Sequence, residues 1–159
     1  MVLAKVPKDC FQQWRYELHH YASFAELWLA RCAWEQAVAA ADQCLDLAGK
    51  TESAKYVARG RRARGLALLG QGRLAEAEAE IVAALETAQE VGNPPQLWRT
   101  LAALGELRTT QGRLDDAREA YREALAVIEG IGAGLSDTRL RQTFLDSDHV
   151  RGIRRRAEG

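Results

Sequence analysis

At 159 residues, with 22 Lys plus Arg against 22 Asp plus Glu, the chain is formally neutral. The length fits one domain with a sizeable core, and the charge balance excludes the basic excess on which nucleic-acid binding depends. No apolar stretch approaches a membrane span, and the first 11 residues lack the apolar run of a signal peptide.

Ala, Leu, Glu, Arg and Gln dominate, and only 3 prolines interrupt them, so the elements are expected to be helices. In chain order the pattern predicts helices over 11–31, 34–48, 53–70, 74–91, 95–111 and 114–130. A seventh runs from 136 to 145, after a linker at 131–135, and the tail to 159 holds another turn or two. The punctuation supports these limits. Gly92 stops one helix, Asn93 caps the next and Pro94 takes its first position. Gly49 to Ser53 does the same with softer chemistry.

The six main helices fall into three units that echo one another at a shift of forty residues. Gln71-Gly72-Arg73-Leu74-Ala75-Glu76-Ala77 returns as Gln111-Gly112-Arg113-Leu114-Asp115-Asp116-Ala117, and Arg31 to Ala37 fills the same slots. A fixed period of this order marks stacked two-helix units. The repeats are expected at 11–49, 53–92 and 94–130. Ala25, Gly65 and Gly105 correspond, as do Ala41, Ile81 and Tyr121, and Cys44, Ala84 and Ala124. In the later half of each unit the apolar positions step by three and four, which is a helical stripe. Gly72 and Gly112 end the first helix of their units in a left-handed turn. Cys32 stands where that glycine is missing, so its turn is expected to be strained or to close differently. Gly65 and Gly105 let paired helices approach closely. The 3 cysteines are Cys10, Cys32 and Cys44; their count is odd, and no C-x-x-C occurs. Cys32 and Cys44 read as core thiols in a reducing compartment, and a cytoplasmic location is expected.

Gly105, Gly112, Ala117, Tyr121 and Ala124 together resemble the tetratricopeptide repeat pattern. Gly65, Gly72, Ala77 and Ala84 follow it in the second unit, and Ala25, Ala37 and Ala41 more weakly in the first. The family's early Trp is Leu101 here, its closing Pro is absent, and forty residues exceed its usual period of about 34. The resemblance covers about 15–130. It implies an all-α fold: a right-handed superhelical stack of three helix pairs plus a C-terminal capping helix. A narrower likeness rests on Trp14-Arg15, Gly92 to Trp98, Gly134 to Asp137, Leu140-Arg141 and Phe144-Leu145. These resemble the C-terminal repeat tail of bacterial signalling proteins that join a cyclase or kinase-like module to an ATPase module.

In that family the ligand groove is lined by first-helix residues turned away from the second helix. The resemblance puts His19, Ala22, Glu26 and Leu29 there from the first unit. Arg59, Arg62, Leu66 and Leu69 come from the second, and Arg99, Ala102, Glu106 and Thr109 from the third. Arg59 and Arg62 share a face, and with Arg99 they offer planar forks suited to a carboxylate or phosphate. The competing reading is a solvated arginine face paired with Glu26, Glu52 and Glu106. On the groove reading, replacing Arg59 and Arg62 with Ala abolishes partner capture and shifts the thermal midpoint by only a few degrees.

Other features read as structural. His19 and His20 point about 100° apart on a helix and cannot chelate one metal together, and His149 stands alone. Gly130 to Gly134 has no preceding strand and no Lys, so it is a flexible link rather than a phosphate loop. Of the tryptophans, Trp14 lies near the open edge and is expected to be partly exposed. Leu140, Phe144 and Leu145 make the apolar face of the capping helix, and Arg151 to Arg156 is a frayed end. No cluster has catalytic spacing, so no enzyme, cofactor or metal is expected. The expected function is a protein-interaction module that holds a peptide or protein segment in the concave groove and is regulatory. The alternatives are a scaffold that dimerises through its open N-terminal edge, or a small-ligand sensor domain.

Overall fold

A computed structural model describes residues 13–159, so Cys10 and the expected helix start at 11 lie outside the described residues. Eight helices and no strands occur among the described residues. They are α1 (Gln13–Ala30), α2 (Trp34–Lys50), α3 (Ala54–Gly70), α4 (Leu74–Val91), α5 (Pro94–Thr110), α6 (Leu114–Ala133), α7 (Thr138–Leu145) and α8 (Asp148–Glu158). Consecutive helices pack as pairs, and α1, α3 and α5 run side by side as one wall.

The three tight turns share one geometry. Cys32, Gly72 and Gly112 are all left-handed, with φ of 55°, 76° and 75°. In each, the next residue's N–H reaches back five positions, Ala33 to Trp28 O, Arg73 to Leu68 O and Arg113 to Arg108 O, each at 2.9 Å. This closes the orphan carbonyls of the helix end. Cys32 therefore keeps the glycine turn and bears the steric cost of a Cβ there, about 1 kcal/mol. The expectation that Cys32 belongs to the core is wrong: a left-handed cap points its side chain outward, and Cys32 is exposed while Cys44 is buried. Between the first two pairs the left-handed residue is Glu52 (φ 51°) rather than Gly49, which stays inside α2. Asn93 caps α5 as its sequence implies, accepting from the Gln96 N–H at 3.2 Å.

The small first-helix positions are contact points. A Cβ on Gly65 would stand 2.6 Å from Ile81 Cγ1, and one on Gly105 2.6 Å from Tyr121 Cζ. Gly105→Ala is expected to cost about 1–3 kcal/mol through overpacking, despite the better helix propensity of Ala. Gly130→Ala, with nothing within 4 Å of its Cβ, is expected to gain up to about 1 kcal/mol. Urea midpoints of the two variants read the difference, and two shifts of the same sign would refute the close-approach argument.

The C-terminal end departs from expectation. Gly130 to Ala133 are not a flexible link but the last turn of α6, with Gly132 buried against Leu145. Helix α7 has no buried residue, and its Leu140 is 60% exposed. The cap is α8, whose Val150, Ile153 and Ala157 are at most 3% exposed and join Trp98, Leu101, Tyr121 and Ile128 in the largest core cluster. The steps of three and four between these apolar residues set α8 on α6 as α5 sits on α4. Arg151 to Arg156 is thus a helix flank, not a frayed end.

Candidate functional site

The wall of α1, α3 and α5 gains a fourth member in α8. Along it lie two clefts. One, of about 310 Å³, is lined by Glu26, Leu29, Arg62, Leu66, Arg99, Glu106 and His149, over a floor of Ala63, Ala102 and Ala103. The other, of about 490 Å³, takes Leu69, Glu106, Thr109, Leu114, Tyr121 and Arg156 among its lining. Glu106 stands in both.

Most of the residues nominated from sequence therefore share one side of the molecule. His19 is exposed but lines neither cleft, and neither does Arg59. Ala22 is buried among Leu18, Cys44 and Ala48, not in a groove.

The arginines are already occupied. Arg59 clamps Glu26 with two donors, Nε to Oε1 at 2.9 Å and Nη2 to Oε2 at 2.7 Å. Arg62 donates from Nη2 to Glu26 Oε1 at 3.3 Å and from Nη1 to Gln96 Oε1 at 2.7 Å. Arg99 Nη1 stands 4.0 Å from the same carboxylate, and its guanidinium lies 5.3 Å from the Trp98 ring centre. Burial would push the Glu26 carboxyl up, but hydrogen bonding to Arg59 and the three guanidinium charges outweigh it, and the carboxyl is held below its ordinary value. Burial lowers Arg62 to about 10, which leaves it protonated at neutral pH.

This geometry corrects the stability expectation for Arg59 and Arg62. Their side chains are 13% and 6% exposed, and their forks are spent on Glu26 and Gln96. The anion these arginines hold is internal, as the paired-face reading had it for Glu26. Of the three, Arg99 keeps an accessible guanidinium, 45% exposed. Glu52, also named in that reading, is exposed, while Glu106 meets Arg156 at 3.4 Å.

Sequence reasoning missed α8's contribution. His149 lies edge-on to Trp98 at 5.2 Å. Desolvation first, then the charges of Arg99, Arg156 and Arg62, lower its pKa and keep the imidazole neutral at physiological pH. Arg156 lies 5.6 Å from the Tyr121 ring centre. Burial raises Glu106 above its usual range, and the attraction of Arg156 only partly offsets this. The spacing of Val150, Ile153 and Ala157 was the available signal for all of this.

No group of three or more His, Cys, Asp or Glu among the described residues could hold a metal ion, and none of their helices is long and apolar enough to cross a membrane.

Residues 56–129 match the tetratricopeptide repeat family model, which takes in nearly all of α3 to α6. The match supports a tetratricopeptide repeat family, whose members are typically non-catalytic and generally bind proteins or peptides. No curated protein matches the chain. Among solved structures, the fold is similar to that of BtubC (BKLC) from P. vanneervenii, with a TM-score of 0.64 and 18% identity. The alignment covers 97% of this chain and 63% of that one, so the chain spans under two thirds of its neighbour's length. At that identity the likeness is one of fold alone.

Proposed function

We propose that the chain is a non-catalytic, regulatory protein-interaction module that receives a peptide or protein segment along the wall of α1, α3, α5 and α8. The observation that carries this is the pair of adjoining clefts. Their apolar floor and walls, from Leu29, Leu66, Leu69 and the alanines, are rimmed by Arg99, Glu106, Thr109, His149 and Arg156. Apolar anchors inside a polar rim are how a preformed groove gains affinity and orientation together. The Glu26 network, which borders the smaller cleft, serves as support: it fixes the spacing of α1, α3 and α5 and leaves Arg99 to meet the ligand. On this reading Arg59 and Arg62 act by holding the wall, and His19 stands outside the groove. The reading takes the repeats as a long-period form, in a cytoplasmic signalling context like that of the bacterial cyclase and ATPase proteins resembled by the sequence.

Panning a random peptide library against the full chain tests this. Enriched peptides are expected to lose at least tenfold in affinity, about 1.4 kcal/mol, with Arg99→Glu. They are expected to keep it with Arg122→Glu, an exposed α6 arginine that lines neither cleft. Binding that ignores Arg99→Glu and follows Arg122→Glu would place the site elsewhere.

A further inference from the structure

A further cleft, of about 240 Å³, opens between α7 and α8 and shares no lining residue with the two clefts of the wall. Thr138, Arg141, Gln142 and Leu145 line it at helical steps of three and four, so one face of α7 is turned towards it. Leu145 anchors that face: its Cδ2 stands 3.1 Å from where a Cβ on Gly132 of α6 would be. Arg141 is fixed in turn, donating to Leu135 O from Nε at 3.1 Å and from Nη2 at 2.5 Å. On α8, Val150, Ile153 and Ala157 are buried, and Arg154 follows at the margin of their stripe. Arg154 is half-buried and lines the cleft from the α8 side.

Neither arginine is neutralised. Arg151 pairs with Asp148 at 2.7 Å and Arg156 with Glu106 at 3.4 Å, whereas Arg141 and Arg154 have no ion pair among the described residues. The bond to Leu135 O orients the Arg141 fork without removing its charge. Asp146 lines the same cleft but pairs with neither guanidinium. A partly desolvated cation without an anion is costly to keep, and two of them on one cleft match a ligand that brings more than one negative charge. Arg141 Nη1, the whole Arg154 fork, the Thr138 hydroxyl and the Gln142 amide supply more donors than the two oxygens of a carboxylate take up. A phosphate monoester offers three oxygens and a charge approaching −2. The cleft is smaller than the roughly 300–1,000 Å³ of sites for drug-sized ligands, but it has room for such a group. We propose that the cleft between α7 and α8 is a binding site for a phosphate group, held between Arg141 and Arg154 and opposed by Asp146.

A phosphorus NMR titration of inorganic phosphate with the full chain, at constant chloride concentration, tests this. Flotation with phosphatidylcholine vesicles that carry phosphatidic acid is the second arm. Saturable phosphate binding is expected with a Kd on the order of 1 mM, the strength that a few charge-assisted bonds supply. Arg154→Gln is expected to weaken it at least about tenfold. Arg154→Lys, which keeps the charge but loses the fork, is expected to fall between. Arg155→Gln, at an exposed position outside the cleft, is expected to stay within about twofold of wild type. Asp146→Asn removes the opposing carboxylate and is expected to bind about threefold tighter, a gain that misfolding cannot produce. Vesicle capture that vanishes with Arg154→Gln assigns the group to a lipid headgroup; phosphate binding without capture assigns it to a soluble ligand. The proposal is overturned if neither probe binds, or if both bind Arg154→Gln as they bind wild type. An equal loss with Arg155→Gln, or no gain with Asp146→Asn, overturns it too, since surface charge alone would then account for the binding.

Discussion

Glu26→Gln is expected to lower the stability of this protein by about 3 kcal/mol, because it removes the one carboxylate shared by three guanidinium groups. The substitution keeps the shape of the side chain. It leaves Arg62, 5% exposed, and Arg59 without their countercharge. Uncompensated buried charge costs far more than a lost surface pair, which is worth at most about 1 kcal/mol. For a chain of this size the loss corresponds to a fall in Tm on the order of 10 °C. Arg99→Ala, at the exposed corner of the same network, is expected to shift Tm by only a degree or two. The pair Glu26→Gln with Arg62→Met is expected to cost less than the sum of its parts, since an apolar pair carries no stranded charge. Acid adds a second signature. The Glu26 carboxyl is held below its ordinary 4.5, so its contribution is complete above that pH and is lost as pH falls through the depressed value. Wild type should show that loss and Glu26→Gln should not. Thermal melts of the variants against pH check both points, and equal stability of Glu26→Gln and wild type at pH 7 would refute the network's role.

Ile153→Ala carries the next largest expected effect, about 2–4 kcal/mol, from lost transfer energy and the cavity left under α8. Ile153 is 2% exposed and packs in the cluster that includes Trp98 and Tyr121. Loosening α8 would wet Trp98, so its fluorescence should shift to the red before the global transition. Leu140→Ala on α7 is the contrast: at 60% exposure its effect should stay within about 0.5 kcal/mol. Equal effects would mean that α7 shares the capping role. A larger effect at Leu140 would restore the sequence-based expectation that the cap begins near Ser136.

Local signals were the ones most easily read in advance. The starts of α2, α4 and α6 at Trp34, Leu74 and Leu114 follow from the turn residues before them, and the Asn93-Pro94 cap is stated outright in the chain. The small residues at Gly65 and Gly105 announced close helix approach because only a missing Cβ permits it. Cys32 could be read as a substituted turn glycine, but its outward direction follows from the left-handed backbone that three residues impose together. The end of α6 was misread because glycines weaken a helix on average, whereas at Gly132 the absent side chain is what lets Leu145 approach, with its Cδ2 3.1 Å from where a Cβ would be.

The clefts were half legible. Periodicity sorted first-helix residues onto one side, which is why Glu26, Leu29, Leu66, Arg99 and Glu106 do meet. It could not tell which arginines face a ligand and which face one another, because that depends on the spacing between helices and not along them. His149 and Arg156 entered the clefts only through the docking of α8, and Tyr121 came from α6. Sequence by itself determined the six repeat helices and the tight turns within each pair, since these are set by backbone sterics and a 3.6-residue period. Tertiary structure alone decided that Glu26 neutralises Arg59 and Arg62 and that α8 rather than α7 closes the stack. Each of those outcomes depends on contacts between separate helices, where burial and Coulomb energy, not local preference, choose the partner.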